Sequence, residues 1–418
     1  MNDKLISNNN FIFLIFSLLP ISFILGNAIL EFNIFLIIKN FLKEILKNKY
    51  EYKKILQSKL FLILLFLWLY LNINALLGIN YEISLKRSIF FFRYILLVFA
   101  FIFFLKQKIL RDKVLNLWTL ILLIVCFDIF FEFLFGKNIL GFESPMKNER
   151  IVSFFKDELI VGSFLGTFLF ILFGKFYNDD KVILSILLFS IFAFSILLTG
   201  ERSISLKVFF SIILIIFFVM KKPKLKVLTL IIPIFLVLMV FTSEKLNHKY
   251  QKTFIHMEKN FQNTSIYEGI LETKYLNQFL FSFEIFKQNY FTGVGTKNYL
   301  RACSNLDKTS NNEIIKNKVV YCFTHPHQFY YEFISEHGLI GTIIILSIIF
   351  LLFSRDKNIE INEEKKQKLF IFKIYIIISL IPIIPSGSFF SSLQLFQFFI
   401  NYSFYQIYLL EKNLLPDN

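Results

Sequence analysis

The densest group of side chains able to do chemistry is Cys322-Phe323-Thr324-His325-Pro326-His327-Gln328. An imidazole titrates near neutrality, so His327 is a candidate general base. The competing reading is an interfacial histidine bonded to a loop carbonyl, and the residues alone weigh the two evenly. Pro326 suits the first turn of a helix, where its missing N–H costs nothing, which puts His327 in that turn. On such a helix His327, Tyr331, Ile334, Gly338 and Gly341 fall near one face. The two glycines let a neighbouring helix approach closely. A zinc site from His325 and His327 lacks further ligands at suitable spacing, so no metal and no cofactor are expected.

Arg202 is the second candidate. It stands in Thr199-Gly200-Glu201-Arg202-Ser203, the only break between two long apolar runs. A guanidinium there suits bidentate binding of a phosphate or pyrophosphate. Its bland alternatives are a local pair with Glu201 or a snorkelling arginine. Arg87 is placed to join such a phosphate site, whereas Arg93 lies deeper and needs a partner such as Asp128 or Glu132. Asn148-Glu149-Arg150 and Lys156-Asp157-Glu158 form a further cluster, in which Asp157 and Glu158 suit a helix start. Lys274, Arg301, His248 and His256 read individually as solvated loop residues. Cys303 and Cys322 fit a disulfide in an oxidising compartment. Closing that loop contributes roughly 3 kcal/mol in the chain-entropy model.

These groups sit in an unusual background. Of 418 residues, 56% are hydrophobic and 18% charged, with a mean hydropathy of +0.62. A soluble domain of this length needs more polar surface, so the surplus apolar surface faces lipid. The 58 Phe residues read as compositional bias. The formal charge of +15 does not point to nucleic acid, because Lys and Arg lie in short clusters between apolar runs.

Helices crossing a bilayer need about 20 apolar residues. Runs of that kind begin at Phe11, Leu60, Arg87, Val114, Leu159, Val182, Ile204, Val227, Phe329, Leu369 and Phe389. A shorter one, 32–42, returns the chain after the first, and Lys39 within it suggests snorkelling or an early end. The expectation is an all-α polytopic bundle of about twelve spans: nine in 1–242, a large loop in 243–326, and three in 327–418. Basic residues concentrate in the loops after even-numbered spans, including Lys43, Lys106, Arg111, Lys221 and Arg355. The positive-inside rule then makes both termini cytoplasmic and the large loop periplasmic. Within that loop, 275–290 suits an amphipathic helix on the membrane surface, broken by Gly293-Val294-Gly295.

The motif His327-Gln328, nine residues, then Gly338-Leu339-Ile340-Gly341 resembles the signature of the O-antigen ligase family. Gly293 to Cys303, followed by Cys322 to Gln328, is similar to the C-terminal domain shared by O-antigen ligases and Wzy-type polymerases. The Arg202 turn resembles that family's arginine-containing turn. Gln328 replaces the Asn usual after the histidine, and Arg301 lies one position from an arginine the family often carries. The resemblance implies a metal-independent glycosyltransferase of the bacterial inner membrane, using an undecaprenyl-pyrophosphate-linked glycan as donor. The implied acceptor is a lipid A core sugar for a ligase or a second lipid-linked glycan for a polymerase. It implies that His327 is catalytic, that Arg202, Arg87 and Arg301 bind pyrophosphate, and that His325, Gln328, Gly338 and Gly341 support them. The rival from another class is a transporter or flippase for lipid-linked oligosaccharide, which predicts repeat symmetry and ionisable groups at mid-membrane.

Overall fold

The computed structural model describes residues 10–47, 49–146, 149–178, 180–250, 274–306, 322–354, 362–382 and 384–411. These are mostly helical. Among them are α1 (Asn10–Ser17), α2 (Leu19–Ile24), α3 (Asn27–Lys47), α4 (Lys49–Leu56), α5 (Lys59–Leu76), α6 (Tyr81–Leu105), α7 (Lys108–Phe135) and α8 (Val161–Phe176). They are followed by α9 (Val182–Leu198), α10 (Arg202–Phe218), α11 (Pro223–Thr242), α12 (Lys274–Gln288), α13 (Tyr299–Cys303), α14 (Phe329–Phe353), α15 (Glu363–Ser379) and α16 (Ser392–Leu410). Helices are the natural outcome for such apolar runs, because they satisfy backbone polar groups locally where water is absent. Five of them, α5, α6, α7, α11 and α14, are long and apolar enough to cross a membrane; α8 and α9 are apolar but shorter.

Helix ends follow local chemistry. Ser58, Asn80, Asn362 and Ser391 each accept a bond from the amide three residues on, at 2.9–3.2 Å, as N-caps do. Gly136 ends α7 in the left-handed conformation. The first apolar run is not one helix. Pro20 lacks the amide that would bond the Phe16 carbonyl, and the indole of Trp118 donates to that carbonyl instead at 2.9 Å. The second run, by contrast, is longer than 32–42: α3 continues through an exposed Lys39, so the lysine does not end it.

α16 is the hub, buried over most of its length and packed on α6, α8 and α15. Phenylalanines fill the spaces edge-to-face, as in Phe16–Phe101 at 5.0 Å and Phe23–Phe164 at 5.1 Å. Arg93 pairs with Glu31 of α3 at 2.8 Å. That corrects the expectation of Asp128 or Glu132, whose carboxylates instead accept from Ile139, Val152 and Ser153 and fold the 137–160 connection.

α14 departs from the expected geometry in two ways. It starts at Phe329, so Pro326 and His327 precede it rather than occupy its first turn. It also breaks at Gly338, whose φ is +63°, so the residues from His327 to Gly341 do not share one continuous helical face. The 290–295 turn repairs the break. Leu339 and Ile340 donate to the Tyr290 and Phe291 carbonyls, while Val294 and Gly295 donate to those of Ser335 and Glu336, at 2.8–3.2 Å. A Cβ at Gly338 would lie 2.5–2.6 Å from the backbone of Phe291 and Gly293. At Gly341 it would lie 1.7 Å from the Tyr70 hydroxyl of α5. α12, the expected amphipathic helix, packs against α14, with Phe279 and Tyr331 at 5.0 Å.

Candidate active site

Three connections meet at one end of the bundle: the turn 199–201, the segment 322–328 and the 380–391 connection. Arg202 opens α10, and its Nε and Nη2 donate to the Lys249 carbonyl at 3.1 and 2.9 Å. It does not pair with Glu201. That carboxylate is buried and accepts from the Gly162 and Ser163 amides and the Ser163 hydroxyl, at 2.5–3.1 Å. Glu201 therefore caps α8, the role expected of Asp157 and Glu158, which are exposed. Burial pushes the Glu201 carboxyl above its usual range, against the pull of these bonds and of Arg150. The first turn of α10 has no side-chain cap, which leaves a partial positive charge there.

His327 adopts φ +57°, an uncommon and strained conformation for a non-glycine residue. Both flanks hold it. Ser386 donates to its carbonyl at 2.8 Å, and Gln328 caps α14 through Oε1, accepting from Tyr330 at 2.6 Å and Tyr331 at 3.2 Å. The rings of His325 and His327 are 4.3 Å apart. Burial lowers the pKa of His327. His325 is lowered to about 4, first by burial and then by His327 and Lys297, so both rings are neutral near pH 7. Among the described residues, no three His, Cys, Asp or Glu side chains converge as a metal site.

His325, His327 and Arg202 line one polar chamber of about 430 Å³, together with Arg150, Ser163, Glu201, Lys207, Ser379, Ser386 and Gln397. An apolar groove of about 880 Å³ adjoins it between α10, α11 and α14, lined by Leu206, Phe209, Leu236, Val240 and Phe241. The two cavities share Arg202, Ser203, His327 and Pro385. Two other expected cations lie elsewhere. Arg87 is exposed on α6, and Arg301 is exposed on α13; neither lines the chamber or the groove. Cys303 and Cys322 form a disulfide, with Cα atoms 5.8 Å apart, which ties α13 to the segment leading into His325. His248 is exposed; His256, Asn148 and the Lys274 side chain lie outside the described residues.

Two features escaped sequence reasoning. Lys207 of α10 is buried and lines the chamber; its signal was a lone charge inside an apolar run. Behind His327, Glu332 accepts from the Ser388 hydroxyl at 2.6 Å and the Phe389 amide at 2.8 Å, and the Lys297 ammonium bonds the same hydroxyl. That network fixes α14 to the 380–391 connection. Nothing in the spacing of these residues announced it.

The region holding Arg202, His325, His327 and both glycines, residues 187–346, matches the family model for O-antigen ligase. Over that stretch the chain is similar to the O-antigen ligases. The matched region runs from α9 into α14, so Arg150 and the chamber walls contributed by α15 and α16 lie outside it. No curated protein matches the chain. Similarity to this family suggests a glycosyl-transferring enzyme in a multi-pass membrane setting, in keeping with the apolar helices.

Proposed function

We propose that this O-antigen ligase-like protein transfers a glycan from an undecaprenyl-pyrophosphate donor onto a sugar hydroxyl. The observation that carries the reading is the shared wall of the two cavities. A polar chamber with His327 and Arg202 adjoins an apolar groove, as a substrate with a polar head and a polyprenyl tail requires.

The acceptor hydroxyl attacks the anomeric carbon of the donor, and a new C–O bond forms as the bond to the pyrophosphate breaks. The neutral imidazole of His327 takes the hydroxyl proton. The leaving pyrophosphate takes the bonding electrons, and Arg202 with the uncapped start of α10 stabilises its growing charge. His325 packs beside the base, Gln328 fixes the backbone that presents it, and Gly338 and Gly341 let α14 dock on the 290–295 turn and α5. Arg87 and Arg301 take no part in this scheme.

The same reading gives about twelve spans, cytoplasmic termini and a periplasmic chamber in the bacterial inner membrane. The favoured acceptor is a lipid A core sugar; a second lipid-linked repeat unit, as in a polymerase, is the alternative. The test is transfer from a lipid-linked donor by the reconstituted protein. His327→Ala abolishes turnover while the fold survives, and normal turnover would remove His327 from the mechanism. Deleting the gene separates the acceptors. Loss of all O-chain with accumulation of lipid-linked polymer means ligase; a single-repeat cap on the core means polymerase.

A further inference from the structure

Lys207 is 9% exposed and projects into the chamber. Among the described residues it has no ion pair and no hydrogen bond. Its ammonium lies 6.0 Å from the centroid of the Phe329 ring, at the outer limit of a useful cation–π contact. A largely buried ammonium without a counter-ion is costly. The carboxylates and the Gln397 amide nearby are already engaged. Glu201 spends its oxygens on the start of α8, and Glu332 on Ser388 and Phe389. Gln397 is engaged with Tyr375 and the Ser163 carbonyl. His325 and His327 are neutral.

What completes this environment is an anion from outside. We propose that Lys207 forms an anion subsite in the chamber that holds one phosphoryl group of the donor's diphosphate, while Arg202 holds the other. This rests on the donor reading given above. The diphosphate joins lipid to sugar, so it belongs at the seam where groove and chamber share Arg202, Ser203 and His327. Lys207 follows Ser203 by four residues on α10, about 6 Å along the axis and on the same face. Arg202 and the uncapped amides take the phosphoryl group at the rim. Lys207 takes the one deeper in the chamber, where a compact point charge reaches either of its oxygens.

The test measures binding of undecaprenyl diphosphate, free of sugar, and of undecaprenyl monophosphate to the full-length protein in nanodiscs. The wild type binds the diphosphate more tightly than the monophosphate. Lys207→Met loses about tenfold or more in diphosphate affinity, the scale of one charge-assisted contact. Its monophosphate affinity changes little, and Lys207→Arg keeps most of the diphosphate affinity. Removing an unpaired buried charge leaves Lys207→Met at least as thermally stable as the wild type; a lower melting temperature would mark a structural lysine and overturn the proposal. Equal diphosphate binding by the wild type and Lys207→Met overturns it too, and if only glycan-linked donor then binds worse, the lysine serves an acidic sugar. A wild type that binds no diphosphate at all removes the donor reading itself.

Discussion

The two ends of the bundle treat buried charge in opposite ways. At the end away from the chamber, cations are neutralised within the protein. Arg111, 2% exposed, pairs with Glu411 at 2.8 Å and stacks on Tyr408 at 4.6 Å. Lys365 bonds the Glu411 carbonyl. At the chamber end, Arg150, Arg202 and Lys207 have no ion-pair partner among the described residues, and the buried carboxylates Glu201, Glu332 and Glu336 accept from backbone amides. The same chain thus shows both ways to accommodate a cation. One end closes the charge for stability, and the other leaves it open for a ligand.

The contrast breaks most severely at His327. His327→Ala takes turnover below detection, a loss of roughly 10³-fold or more on the scale of a lost general base, with melting temperature nearly unchanged. Arg202→Lys follows at about 10²-fold, because a point charge does not reproduce a planar fork at a developing oxyanion. The matched change at the other end, Arg111→Lys, does the reverse. It lowers stability by about 2 kcal/mol through the weakened bond to Glu411 and leaves turnover of the folded protein within about twofold of wild type. Parallel transfer assays and thermal unfolding in detergent check all three. Equal activity losses at Arg202 and Arg111 would erase the difference between the ends.

Packing, unlike charge, is alike at both ends, and this sharpens the point. A Cβ at Gly341 meets Tyr70, and one at Gly174 meets the fully buried ring of Phe372 at 2.5 Å. Gly341→Ala and Gly174→Ala each cost about 1–3 kcal/mol from overpacking, read as lowered melting temperature, and neither depends on substrate.

What the sequence made legible follows from this. Hydrophobic runs located the helices, because a span is a property of local composition. His327 and Arg202 were legible because each interrupts an apolar pattern at a helix end. The orientation of Arg87 and Arg301 was not, since an exposed arginine on α6 and one facing the chamber differ only by helix rotation. The same applies to the Arg93–Glu31 pair, joined across two helices. The break at Gly338 was hidden because its repair comes from residues 290–295, far away in the chain. Lys207 was visible only as one charge in an apolar run, and its meaning depends on which neighbours have already spent their oxygens.

The smallest expected effect concerns pH. Burial lowers the pKa of His327, so the imidazole stays unprotonated to lower pH than an ordinary histidine near 6.5. The acidic limb of kcat/KM reports the base in the free enzyme. Activity therefore persists through pH 6.5 and falls only as pH drops through the depressed value. His325→Asn leaves that limb in place, because His325, lowered to about 4, carries no charge in that range. Stability follows the same sign. The unfolded state takes up a proton near 6.5 and the folded state does not, so the contribution of His325 is complete above 6.5 and lost as pH falls toward 4, and that of His327 falls in the same direction. A limb at or above 6.5 in the wild type, or one that moves with His325→Asn, would mean that the base is solvent-exposed or is not His327, and the chamber end would lose its claim to a desolvated catalytic site.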